Sequence, residues 1–331
     1  TETKKAKEQL DYLRYNDPVT GLYNRQFFEK EINRIDKDEN LPISMIYGDV
    51  NGLKLINDIL GHEKGDELLR KTADVLTRVS RDGDIVARIG GDEFIIVMKK
   101  TDSEGARKII ERIKSEISTE TIYGIKGNIS LGTDTKTSSD LEIKTIINNA
   151  EEEMYRTKTL ESKSISTGML DDIMEFLFER SPREKLHYQN VSRISGDIAK
   201  KMGLRETDIR TIREIGYYHD IGKVILDKDI LNKVGNLNPD EKKEMERHTM
   251  IGYRILNLFP ETLDMAEVVL AHHERWDGTG YPKGLKGREI PLYSRIIAVA
   301  EAYDAMTNKI DIRGLSHREA VEVIKSQSGT K

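Results

Sequence analysis

Short apolar runs dominate the first half of the chain, and a helical period replaces them in the second. Residues 43–50, 85–89, 94–98 and 128–131 read as strands, each bounded by polar or glycine-containing turns. Helical spacing fills the intervals between them, so the half that runs to about residue 160 is α/β or α+β. Beyond 169 the strands stop. Leu, Ile and Met recur there at steps of three and four through 184–202, 206–218, 240–258 and 292–307, which predicts amphipathic helices and an all-α domain. Between the halves, 161–168 is a run of small polar residues that fits a domain boundary, with a linker expected at 163–168. No internal repeat is evident.

Composition narrows the possibilities. A chain of 331 residues with 37% hydrophobic and 34% charged positions is long enough for two packed domains and too apolar to be disordered. Cysteine is absent, which excludes disulfides and thiolate metal sites, so a metal must be held by His, Asp, Glu or backbone oxygen. No apolar run reaches the roughly 18 residues of a membrane span, and the first residues lack the apolar stretch of a signal peptide. A soluble, cytoplasmic piece without membrane contact is therefore expected. The net charge of -5 recruits no nucleic acid globally, so a phosphate-bearing substrate must be held by locally placed cations. The non-Met start and the polar end at 326–331 predict an excerpt of a longer protein. Ala6, Leu10 and Leu13 predict a connecting helix over 1–16, leading from an upstream sensor region.

The first chemistry lies on a hairpin. Arg88-Ile89-Gly90-Gly91-Asp92-Glu93-Phe94-Ile95-Ile96-Val97 is strand, Gly-Gly, strand, and paired glycines supply the positive φ of a tight turn. Asp92 and Glu93 then sit at the turn, and Asp49 ends the strand 43–50. If the strands are neighbours, Asp49 and Asp92 can share a Mg²⁺ ion, a hard cation that takes oxygen ligands and bridges to phosphates.

With Asp17-Pro18-Val19-Thr20-Gly21-Leu22-Tyr23-Asn24-Arg25, Asp49-Val50-Asn51-Gly52-Leu53-Lys54, Asn57-Asp58 and Gly61-His62-Glu63-Lys64-Gly65-Asp66, this signature makes residues 17–162 resemble the GGDEF family of diguanylate cyclases. The resemblance implies an α+β fold with a central, mainly antiparallel sheet. It implies that Asp49 and Asp92 bind Mg²⁺ (or Mn²⁺) with help from the Val50 carbonyl, and that Glu93 supports the reacting end. It gives Asn57 and Asp66 the reading of guanine; a carboxylate accepts from guanine N1–H and N2–H and offers nothing complementary to adenine. Lys158, on a helix expected at 149–159, would contact phosphate, and Arg81 with Asp84 would form a product-inhibition site. Asn51 stands where many members have a second Asp, and Ser162 where many have an Arg. The implied reaction is attack of a ribose 3′ hydroxyl on the α-phosphorus of a second GTP, which requires two chains face to face and hence a homodimer.

The second chemistry is a histidine cluster. Five of the seven histidines are His187, His219, His248, His272 and His273, in or at the ends of predicted helices, accompanied by Asp220 and Asp304. Five imidazoles and two carboxylates exceed one tetrahedral site and suit two bridged metals. Through His219-Asp220-Ile221-Gly222-Lys223 and His272-His273-Glu274-Arg275-Trp276-Asp277-Gly278-Thr279-Gly280-Tyr281-Pro282, residues 169–331 resemble the HD-GYP family of cyclic di-GMP phosphodiesterases, of HD type.

That resemblance assigns His187, His219, Asp220 and Asp304 to one metal and adds His248, His272 and His273 for a second, with Asp220 bridging. It implies Fe, Mn or Zn as the two transition metals, a water activated between them, and a phosphate contact by Lys223. It offers Arg313 as a further phosphate contact, although the Arg-Pro-Tyr run common near it is missing. Arg183 occupies the position of a third-metal Glu, with Glu184 one step off, so two metals are expected. The family usually continues beyond Gly329, so the domain is expected to be truncated. Together the two resemblances imply synthesis of cyclic di-GMP from GTP and its hydrolysis to pGpG or GMP. Two alternatives stand beside this: a hydrolase with a regulatory first domain that binds GTP or product, and a non-catalytic cyclic di-GMP receptor.

Overall fold

The computed structural model describes residues 12, 14–308 and 314–329. Of the connecting helix expected over 1–16, only Tyr12, Arg14, Tyr15 and Asn16 are among them, and the first three are helical. Arg313 lies outside the described residues. The chain forms two compact units, Thr1–Asp172 and Ile173–Lys331.

The first unit is built on five strands. These are β1 (Tyr23–Asn24), β2 (Ile43–Val50), β3 (Ile85–Gly90), β4 (Glu93–Lys99) and, after a small hairpin of β5 (Thr121–Ile122) with β6 (Ile125–Lys126), β7 (Ile129–Lys136). Their order is β1-β3-β4-β2-β7, with β1 parallel to β3 and every other pairing antiparallel, the mainly antiparallel sheet expected. Every residue of β2 is buried, as the central place of that strand requires. Helices α1 (Arg25–Ile35), α2 (Leu53–Leu60), α3 (His62–Val79) and α4 (Ser103–Ile117) connect the strands. Period 2 sends Met45 and Tyr47 of β2 to one face. There they pack with Phe28 and Ile32 of α1 and with Ile146, Ala150 and Met154 of the helix that follows β7.

That helix, α5 (Ile143–Arg180), corrects the expected linker, because 163–168 lies inside it. The Ser166 and Thr167 hydroxyls each donate to the carbonyl four residues back, at 2.9 Å, so the polar side chains are satisfied within the helix. Met169, Leu170, Ile173, Met174 and Leu177 then continue a buried face. Burial of that face outweighs the roughly 1 kcal/mol that a helical glycine such as Gly168 costs.

The second unit is helical: α6 (Pro182–Lys201), α7 (Glu206–Tyr218), α8 (Lys228–Leu231), α9 (Pro239–Leu256), α10 (Leu263–Leu270), α11 (Leu292–Thr307) and α12 (His317–Ser326). The four expected helices agree with α6, α7, α9 and α11 to within two residues at each end. Ala199, Ile209, Ile212 and Ile296 form a buried cluster joining α6, α7 and α11. No helix among the described residues is long and apolar enough to cross a membrane.

Candidate active sites

In the first unit the turn is Gly91-Asp92, with φ +50° at Gly91, one residue on from the Gly-Gly turn expected because Gly90 still pairs with Glu93; it folds β4 back along β3. Asp49, near the end of β2, then pairs in register with Glu93, and the Val50 amide donates to the Asp92 carbonyl at 2.9 Å. Arg88 clasps the turn: Nε and Nη2 donate to the Gly91 carbonyl at 3.0 and 2.6 Å, and Nη1 donates to Asp17 Oδ1 at 2.9 Å. Asp49, Val50, Asp92 and Glu93 are thereby brought together. Burial raises the Asp49 pKa, the Asp92 and Glu93 charges add to that, and Lys158, with Nζ at 2.6 Å from Asp49 Oδ1, opposes it. Lys158 thus rests on the carboxylate expected to hold metal.

Asn51 is buried, and its Nδ2 donates to Asn128 Oδ1 at 2.6 Å and to Ser130 Oγ at 2.9 Å, binding the amide to the β7 edge. Asn57 on α2 faces Gly65 on α3, where a Cβ would fall 1.9 Å from Asn57 Oδ1. The bare backbone lets the helices meet and sets Asp66 beside the same junction, 3.9 Å from Arg70. Arg81 and Asp84 close a turn, Asp84 Oδ2 accepting the Arg81 N–H at 2.8 Å, with the rest of Arg81 exposed.

In the second unit, His219 and Asp220 follow α7, and the next turn crosses α9 at very short range. A Cβ on Gly222 would lie 2.0 Å from the His248 carbonyl and 2.5 Å from the Gly252 nitrogen. This crossing puts Asp220 among the histidines. His219 Nε2 is 3.1 Å from Asp220 Oδ2, while His248 Nε2 and His272 Nε2 are 3.0 and 3.6 Å from Oδ1. The opposite ring nitrogens meet carbonyls three residues back: His219 Nδ1 with Gly216 at 2.8 Å, His248 Nδ1 with Met245 at 2.5 Å, and His272 Nδ1 with Val269 at 2.5 Å. A carbonyl only accepts, so each ring donates from Nδ1 and, when neutral, turns the lone pair of Nε2 toward Asp220.

Asp220 is fully buried, and both its oxygens and His219 Nε2 lack a directed hydrogen bond. Polar atoms left so in a protein interior are what a bound cation would satisfy. Burial pushes the Asp220 carboxyl up, but His219, Lys223 and His248 hold it well below the usual range. Two sets of ligand atoms each lie within 4.8 Å of one another: Asp220, His248, His272 and His273, and His187, His219, Asp220 and Glu301. Asp220 belongs to both. Nitrogen and oxygen donors in this arrangement fit two bridged transition metals.

Glu301, which was not foreseen, offers a ligand atom in the second of these sets. Asp304, expected as a ligand, has Oδ2 2.7 Å from His187 Nδ1, and its Oδ1 accepts from Asn308 at 2.5 Å. The three-residue spacing of the two acids on α11 puts them on one helix face and was the available signal. Lys223 Nζ lies 2.7 Å from Asp220 Oδ2 and 3.0 Å from Glu184 Oε2. Burial lowers its pKa, but these two carboxylates raise it further. Glu184 is thereby paired with Lys223, and the Arg183 guanidinium donates to the Leu231 carbonyl.

The loop after His273 is pinned from beneath. The buried Glu274 accepts the Lys283 and Leu285 amides at 2.6 and 2.9 Å, and Tyr281 lies over His273 with ring centroids 4.9 Å apart. Gly280 passes so close that a Cβ would be 2.3 Å from the Arg275 nitrogen. A cavity of about 990 Å³ opens here, lined by His272, His273, Glu301, Tyr281, Trp276 and Arg295 among others.

Comparison with known proteins places two families along the chain. Residues 14–164 match the family described as "Diguanylate cyclase, GGDEF domain", and residues 165–331 match the HD domain family. A cyclic di-GMP phosphodiesterase of Thermotoga maritima is 37% identical over 57% of this chain and 57% of its own length. A 3′3′-cGAMP-specific phosphodiesterase of Vibrio cholerae is 37% identical over 39% of this chain and 25% of its own. The diguanylate cyclase DgcM of Escherichia coli is 32% identical over 48% of this chain and 39% of its own. The chain thus spans little more than half the length of the first of these relatives and less of the others. It belongs to the HD-domain family and carries, ahead of that domain, a GGDEF domain of the diguanylate cyclase type.

Proposed function

We propose that the HD domain hydrolyses cyclic di-GMP at the Asp220 centre and that the GGDEF domain makes the same compound from GTP. The observation that carries the hydrolase reading is the convergence of the Nε2 atoms of His219, His248 and His272 on one fully buried carboxylate. When bound there, two metal ions would supply Lewis acidity toward a phosphodiester. Asp220 would bridge them, the i−3 carbonyls hold the histidine tautomers, and Asp304 holds His187. Tyr281 and the loop anchored by Glu274 wall off the open side, and Lys223 keeps a positive charge within reach of a phosphate. For the first domain, support comes from the meeting of Asp49, Asp92 and Glu93 at the hairpin and from the Asn57–Asp66 junction. Two GTP-loaded copies would then face one another as a homodimer.

A second reading, in which the first domain only binds GTP or product and regulates the hydrolase, is favoured by Asn51. Its amide is committed to Asn128 and Ser130 where many relatives have a carboxylate. The readings separate on incubating the chain anaerobically, with Mg²⁺ and Mn²⁺, with GTP and with cyclic di-GMP beside Asp92→Ala and a His219→Ala, Asp220→Ala double variant. Conversion of GTP that needs Asp92, together with hydrolysis that needs His219 and Asp220, is the expected result. GTP left intact by the hydrolase-dead variant would make the first domain regulatory, and failure of hydrolysis in metal-loaded protein would sink the hydrolase reading.

A further inference from the structure

The cavity beside the Asp220 centre has a wall whose chemistry the hydrolytic reading does not use. Four cations on it differ in their partners. Lys242, Arg275 and Lys325 each pair with a carboxylate, Glu246 at 3.9 Å, Asp277 at 3.8 Å and Glu322 at 3.3 Å. Arg295 has no carboxylate partner among the described residues. Its guanidinium carbon lies 5.7 Å from the centroid of the Trp276 ring, and its buried Nε has no hydrogen-bond partner. Trp276 is 38% exposed, and its carbonyl accepts the Gly287 amide at 3.0 Å, which fixes the residue to the loop.

A planar cation that lines the cavity without a carboxylate partner, over a partly exposed indole and in the same cavity as His272 and His273, matches one kind of ligand group: a flat, electron-rich heterocycle with acceptors on its edge. Phosphate would need the cation but not the indole. We propose that Arg295 and Trp276 form a purine-binding subsite that selects guanine, holding one base of the cyclic dinucleotide while its phosphodiester lies at the Asp220 centre. This rests on the hydrolase reading above. The indole supplies a stacking face that tolerates any base. The guanidinium fork supplies the selection, since guanine presents two acceptors, O6 and N7, to adjacent N–H groups. Adenine presents N7 beside an N6 amino group, so one donor of the fork would face another donor. The subsite therefore favours a ring with guanine at this position over cyclic di-AMP.

The test uses the full chain loaded with Mn²⁺, with cyclic di-GMP as substrate and cyclic di-AMP as competing ligand, in wild type, Arg295→Ala, Arg295→Lys, Trp276→Ala and Trp276→Phe. Metal content per chain reports on folding and on the centre independently of turnover. Arg295→Ala and Arg295→Lys are expected to raise KM for cyclic di-GMP by about 10- to 100-fold, with kcat falling much less and the Ki of cyclic di-AMP shifting less than about 3-fold. Trp276→Ala is expected to weaken both ligands together, and Trp276→Phe to restore most of the loss. Equal weakening of both ligands by Arg295→Lys would make Arg295 a phosphate contact and overturn the proposal, as would unchanged KM values in all four variants. A wild-type protein that holds metal but leaves cyclic di-GMP intact would remove the hydrolase reading itself. That outcome is visible without any variant and so is distinct from failure of the subsite alone.

Discussion

Lys158 Nζ lies 2.6 Å from Asp49 Oδ1, so a side chain expected at a phosphate stands on a carboxylate expected at a metal. The second unit repeats the relationship, with Lys223 Nζ 2.7 Å from Asp220 Oδ2. In each centre a bound metal ion would have to share or take an oxygen that the lysine now holds. A nucleotide bound with the metal would offer the lysine its phosphates instead, whereas metal alone would offer it nothing in exchange. Lys158→Ala is therefore expected to tighten binding of Mg²⁺ alone to the first domain by about 5-fold, the equivalent of about 1 kcal/mol for a half-exposed pair, and to weaken binding of GTP with Mg²⁺. Titration calorimetry with Mg²⁺, then with a non-hydrolysable GTP analogue, reads both. Weaker binding in both titrations would show that Lys158 does not compete.

Metal content tests the places of Glu301 and Asp304. Glu301 offers a ligand atom beside His187, His219 and Asp220, whereas Asp304 holds His187 from behind. Glu301→Ala should lower the metal recovered by about one ion per chain. Asp304→Asn should keep the stoichiometry and reduce affinity by about 10- to 100-fold, the usual effect of removing a group that orients a ligand. Asp220→Ala, which removes the residue common to both sets, should lose both ions. Elemental analysis after dialysis against graded chelator gives all three answers, and a lost ion in Asp304→Asn with none lost in Glu301→Ala would reverse the assignment.

Asp17 predicts a pH dependence away from either metal centre. Burial would raise its pKa, but the Thr20 hydroxyl and amide, both at 2.8 Å, and the Arg88 guanidinium at 2.9 Å lower it overall. A carboxylate with a depressed folded pKa contributes stability that is present above its unfolded value, near 3.9, and is lost as pH falls through the folded value. Asp17→Asn should therefore destabilise the first domain by about 1 kcal/mol at neutral pH, the cost of losing a charged turn cap. The difference from wild type should shrink as pH drops below about 4. Denaturant titrations followed in the first domain at several pH values measure it, and a difference that grows on acidification would contradict the assignment.

Much of this architecture is legible in the order of residues. The apolar blocks on either side of the glycines identify β3 and β4 as a hairpin, and the apolar block ending at Asp49 identifies β2; that β2 then lies beside β4, which brings Asp49 to the turn, is set by the sheet order. The helices that carry His187, His248 and Asp304 follow from simple periodicity. What escapes is set by packing. Ser164, Ser166 and Thr167 read as a break in the helix, but two of their hydroxyls are satisfied within α5 and the apolar face resumes at Met169, so the stretch where the two family matches meet is helical. Glu301 escapes because which acids on one helix face come near His187 and His219 depends on how α11 is rotated against α6. The lysines differ in another way: a phosphate contact is expected of each from the resemblance, whereas their partners in this structure are the carboxylates beside them.

Gly222 is the residue on which the geometry of the second centre most depends. It sits where the turn after Asp220 crosses α9, with the His248 carbonyl 2.0 Å and the Gly252 nitrogen 2.5 Å from where a Cβ would be. Both are backbone atoms that no rotamer change can move aside, so the turn and the helix must separate to admit even a methyl group. Separation carries Asp220 away from His248, now 3.0 Å from it, while His219 travels with Asp220 on the same segment. Gly222→Ala should therefore cost roughly 3 kcal/mol of stability in the second domain. In the fraction that folds, it should abolish binding at the set containing His248 and His272 before the set containing His187 and His219. Stepwise Mn²⁺ titration monitored by electron paramagnetic resonance distinguishes this from general unfolding, because a coupled two-ion signal would give way to that of a single ion. Retention of the coupled signal in Gly222→Ala would show that the crossing does not set the spacing of the two ions.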